Sequence, residues 1–67
     1  MKPETLDNIL GEALEAAGVY RAADVTGARL SHQDWTAFLK ENKTQHHRGL
    51  VLIPCSSIEP GTLKLIR

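Results

Sequence analysis

Cysteine is nearly missing from this sequence. Cys55 stands alone among 67 residues, so no disulfide within the chain can prop up its core. A chain of this length buries only about 60% of the surface its unfolded form exposes, which predicts marginal stability. Pairing with a second copy, as a homodimer, would relieve so small a core. A single thiol fits a reducing cytoplasm better than a secreted setting. Long apolar runs are also lacking. The longest is Leu50-Val51-Leu52-Ile53, far short of the roughly 20 residues that span a bilayer, so no membrane partner is expected. Charged residues spread through the first 15 positions predict that the N-terminus is no signal peptide. The length predicts one domain over residues 1–67, with no second one.

A net charge is absent too. Eight basic side chains balance eight acidic ones, which argues against a strong polyanion binder. The distribution is less even than the total. Residues 1–18 set Lys2 against Glu4, Asp7, Glu12 and Glu15, and residues 19–67 carry a net +3. The densest basic cluster is Lys40, Lys43 and Arg48, with His46 and His47 between them. An acidic back and a basic front of this kind suit a phosphate backbone.

Catalytic signatures are missing as well. There is no phosphate-binding glycine loop, no paired-carboxylate motif and no room for a deep substrate pocket, which predicts a protein that is not an enzyme and needs no cofactor. Adjacent histidines such as His46 and His47 rarely point at one ion, and His32 and Cys55 are far away in sequence, so no metal site is predicted. The Cys55-Ser56-Ser57 stretch supplies a thiol without a specified base or orienting group.

What is present is periodicity. Leu6, Ile9, Leu10, Ala13, Leu14 and Ala17 repeat as one apolar face of a helix. Pro3 suits its first turn, and Glu4 and Asp7 suit the positive end of its dipole. Gly18 is the expected left-handed stop, with Val19 folding back onto Leu14. Residues 19–25 read as helix or strand, since alanines favour one and Val, Tyr and Val the other; the reading taken is a short helix, ended by Thr26-Gly27. Ser31 is a strong N-cap for a helix over 31–42. Asp34 stands at the capping-box position, and Leu30 with Trp35 has staple spacing. Trp35, Phe38 and Leu39 form its buried stripe, and Asn42 is the expected left-handed end. Residues 43–48 read as a polar loop. Gly49 to Pro54 and Thr62 to Arg67 read as strands, joined by a long loop from about Pro54 to Gly61, because the type II turn at Glu59-Pro60-Gly61-Thr62 would splay a two-residue hairpin. Pro54 points to an edge or a bulge. The fold class expected is α+β: a small helical domain of two or three helices with a C-terminal antiparallel β-hairpin.

Helix, short element, capped helix and hairpin, with Ala23 followed by Gly27 at small-residue spacing, resemble the winged helix-turn-helix superfamily of DNA-binding domains. The resemblance is one of element order over nearly the whole chain. It makes residues 20–26 the second helix, Thr26 to Leu30 the turn, 31–42 the recognition helix and 49–67 the wing. Arg29 in that turn and the neutral total charge depart from the pattern. The resemblance implies a transcription-regulator-like domain with DNA as partner. Gln33 would read an adenine edge and Thr36 a thymine methyl, and Arg29, Lys40, Lys43, Arg48 and Lys64 would meet phosphates. The competing reading is a small protein-binding module or inhibitor, acting through the acidic face of helix 1 or through the C-terminal strand as an edge open to a partner.

Overall fold

A computed structural model describes residues 1–21 and 24–67. The first helix, α1, spans Pro3–Ala16 with proline in its opening turn. It ends as its sequence requires. Gly18 takes φ 69°, the Val19 amide donates to the Leu14 carbonyl and the Gly18 amide to that of Glu15, a Schellman stop. Leu14 and Val19 pack against the same buried cluster.

Next comes a strand, β1, at Gly27–Leu30, followed by α2 at His32–Asn42, β2 at His46–His47, β3 at Leu50–Pro54 and β4 at Leu63–Ile66. The four strands form one sheet in the order β2-β3-β1-β4. β1 runs parallel to β3 and antiparallel to β4, and β2 antiparallel to β3. Parallel neighbours need a crossover between them, and α2 provides it. The helices share one face of the sheet. Leu6 of α1 and Phe38 of α2 pack with Ala28, Leu30 and Leu52, while Leu10 packs with Val25 and Leu50.

The α+β class is thus observed, and three finer expectations are corrected. The turn expected over Thr26 to Leu30 is strand β1, with Ala28 and Leu30 fully buried and Arg29 exposed between them. This alternation is the strand period, and it takes away the turn on which the winged-helix resemblance depends. The short helix expected over 20–26 includes residues 22 and 23, which lie outside the described residues. Second, β3 and β4 do not pair with each other, because β1 lies between them. The connection from Cys55 to Thr62 is long enough to step across β1, a distance of about 10 Å, or two strand spacings. Third, the polar loop contains a true hairpin. His47 pairs with Leu50 across Arg48 and Gly49, which both have positive φ, 52° and 79°, as a two-residue type I′ turn demands.

The capped helix forms as expected, with two substitutions of partner. The Asp34 amide donates to Ser31 Oγ at 3.0 Å. The Asp34 carboxylate, however, accepts from the Gly61 amide at 2.7 Å and so anchors the Pro60-Gly61 turn to the start of α2. At the other end Lys43, not Asn42, is left-handed, and the Asn42 amide donates to the carbonyls of Phe38 and Met1. Pro54 sits in an interior strand at no cost. The amides of Val51 and Cys55 donate towards β1 and its flank, and that of Leu52 towards Gln45. By alternation residue 54 faces the β2 side, where β2 has already ended.

Candidate functional site

The residues expected to contact DNA fall in three places. Gln33, Thr36 and Lys40 are exposed on α2, and Lys43 follows it. Arg29 and Lys64 are direct cross-strand partners on the sheet, exposed on the face opposite the helices. Since α2 buries Phe38 against the inner face, its exposed side chains and the Arg29–Lys64 pair look in opposite directions. Arg48 is in a third place. Its Nε and Nη2 donate to the two carboxylate oxygens of Asp7 at 2.7 and 3.0 Å, and His47 Nε2 lies 2.6 Å from Asp7 Oδ1. These bonds to Arg48 and then His47 hold the Asp7 carboxyl well below the usual carboxylate range, and Asp7 in turn raises the Arg48 guanidinium. Arg48 therefore fastens the β2–β3 turn to α1, a role that its place in the basic cluster did not suggest. His46 and His47, as neighbours in a strand, face opposite sides; His47 turns inward, edge-on to Phe38.

The outer face of the sheet is apolar and cationic. Pairing places Ile53 beside Arg29 and Lys64 in one row, and Val51, Gly27 and Ile66 in the next. A Cβ on Gly27 would lie 2.8 Å from Val51 Cγ1 and 2.9 Å from the Val51 carbonyl oxygen, so glycine lets the neighbouring side chains close over this position. The strands contain no Asp or Glu, whereas six of the eight acidic residues lie on α1 and α2.

The side of the sheet beyond β4 is open. β1 is the only strand that pairs with β4 among the described residues. The Val51 amide bonds to the Thr26 carbonyl and the Cys55 amide to that of Leu30, so the even-numbered residues of β1 face β3. Gly27 and Arg29 then face β4, where they meet Ile66 and Lys64. Successive residues of a strand aim their backbone groups at alternate sides. The N–H and C=O of Leu63 and Leu65 therefore point to the open edge.

A trough accompanies that edge. A hollow of about 410 Å³ lies between Ala13 and Ala16 of α1, its C-cap Ala17, and Leu63, Lys64, Leu65 and Arg67. A second, of about 200 Å³, shares Ala13 and Leu63 and extends to Ile9 and Gly61. At the far end Arg67 donates to the Ala17 carbonyl, and Tyr20 is 96% exposed. The helix period that revealed the core stripe of α1 also contains these trough residues. Nothing in the sequence separates Ile9, Ala13 and Ala17, which flank the edge, from Leu6 and Leu10, which fill the core.

Cys55 Sγ lies 3.1 Å from Ser57 Oγ. This hydrogen bond, with smaller help from Arg29 and Lys64, lowers the thiol's pKa. No histidine is among the groups acting on it. Among the described residues no group of three or more His, Cys, Asp or Glu side chains is placed to hold a metal ion, and no helix is long and apolar enough to cross a membrane. No family model matches the sequence, and no curated protein or solved structure does so either.

Proposed function

We propose that this chain is a non-catalytic protein-binding domain that captures an extended segment of a partner protein along the open edge of β4. The observation that carries this reading is the direction of the Leu63 and Leu65 backbone groups, outward and beside an apolar trough. A strand added there gains main-chain hydrogen bonds from the edge and side-chain contacts from the trough, the two sources of affinity and specificity in strand addition. Tyr20, in a neighbouring hollow that shares Arg67 with the trough, supplies the kind of exposed aromatic that anchors interfaces. The setting is the cytoplasm, where Cys55 stays a thiol. DNA is the competing partner, through Gln33, Thr36 and Lys40.

Amide hydrogen exchange tests the reading. In the free protein the amides of Leu63 and Leu65 exchange faster than those of Lys64 and Ile66. With the partner bound they become protected while the α2 surface is unchanged. A shift of duplex DNA that Gln33→Ala combined with Lys40→Ala abolishes, with no change at Leu63 and Leu65, would overturn it in favour of DNA binding.

A further inference from the structure

We infer that the segment taken up by β4 is a strand in which acidic and small apolar residues alternate; this rests on the edge-capture reading above. Alternation within β4 divides its side chains between two surroundings. Leu63 and Leu65 share the helix-covered face with the trough, where Ile9, Ala13, Ala16 and Ala17 leave space for side chains of modest size. Lys64 is on the outer face with Arg29 directly across from it, and among the described residues neither makes an ion pair with an acid. Like charges directly opposite each other repel. A residue of the incoming strand set beside Lys64 meets two unneutralised cations on a face whose strands carry no acid. A carboxylate there relieves the repulsion, and a cation adds to it. The next residue along the incoming strand turns to the trough and meets alanine and leucine. One residue type thus suits each face, and the strand period turns the two preferences into an alternating pattern. The same charges disfavour a second copy of this chain as occupant, since pairing β4 with itself gathers two copies of Arg29 and Lys64 on one face.

Capped, fluorescently labelled heptapeptides against the full chain decide the matter. The probes alternate valine with glutamate, with threonine or with lysine. The glutamate peptide is expected to bind at least about tenfold more tightly than the lysine peptide, to weaken as salt rises, and to protect Leu63 and Leu65. Lys64→Glu should reverse the order of the glutamate and lysine peptides. N-methylation of alternate residues of the glutamate peptide should abolish binding in one frame and spare it in the other. Equal binding of all three peptides, with protection at Leu63 and Leu65, overturns the acidic preference and leaves edge capture standing. Binding that ignores N-methylation in both frames, or no binding at all, overturns both.

Discussion

Gly27 owes its place in the fold to residues distant in sequence. Thr26-Gly27 has the composition of a turn, yet Gly27 takes part in β1 because two neighbouring strands close over it. The reason for glycine lies in Val51 and Ile66, distant in sequence, and so could not be seen locally. Gly27→Ala is therefore expected to destabilise the fold by about 1–3 kcal/mol, the usual cost of overpacking, because the backbone oxygen of Val51 cannot swing aside as a side chain would. Urea denaturation measures this, and unchanged stability would mean that the strands separate at little cost. Asp7 is the second residue whose role depends on remote partners. Its carboxyl is easier to ionise in the folded state than its ordinary value of 3.8, so its contribution is complete above about pH 5 and is lost as pH falls through the carboxylate range towards the folded value. Asp7→Asn should lower the melting temperature at pH 7 and make the decline in stability on acidification shallower. Parallel melting curves of both proteins from pH 7 to pH 2 would show the two converging; a constant gap would exclude Asp7 as the source.

At the scale of elements, legibility followed the strength of local signals. Both helices were readable, since α1 carries a long apolar repeat with a glycine stop and α2 a capped start with a staple. Ser31 and Trp35 confirm that reading in detail: Ser31 accepts from the Asp34 amide, and Trp35 packs beside Leu30 in the core while its indole N–H donates to the Leu52 carbonyl at 3.0 Å. The cap is local, and Ser31→Ala should cost about 1 kcal/mol, a fall of roughly 4–8 °C in melting temperature for so short a chain. A scanning calorimeter resolves that shift, and Ser31→Asp should restore most of it. The short strands were harder to read. β1 has four residues and β2 two, too few for a period to emerge, and β2 exists because Arg48 and Gly49 accept positive φ. No signal local to residues 43–48 requires Arg48 to take positive φ, and its side chain is fixed by Asp7 from α1.

At the scale of the molecule, the order of the strands was not written locally. The sequence places β3 and β4 as neighbours, and only burial of Ala28 and Leu30 explains why β1 enters between them: a central strand bonded on both sides hides its small apolar face completely. That insertion displaces β4 to the edge and carries Lys64 with it, so the topology and the candidate site have one origin. The basic cluster visible in sequence around Lys40 and Arg48 is dispersed by the same folding, whereas Arg29 and Lys64, 35 positions apart, become partners. Lysine on an exposed edge keeps sheets from joining indiscriminately, and Lys64 is the one charged residue on the outer side of β4, next to Ile66. Replacing it with leucine would make β4 apolar at every position from Leu63 to Ile66, along an edge with free backbone groups. Lys64→Leu is expected to associate through β4, with a sedimentation coefficient that rises over the tens-of-micromolar range where the parent chain's stays flat. Addition of Lys64→Glu protein to the parent should also produce mixed dimers, since opposite charges then meet across the edge. If the leucine variant sediments as the parent does, the edge is closed by something other than charge, and capture of a partner strand would have to proceed elsewhere on the surface.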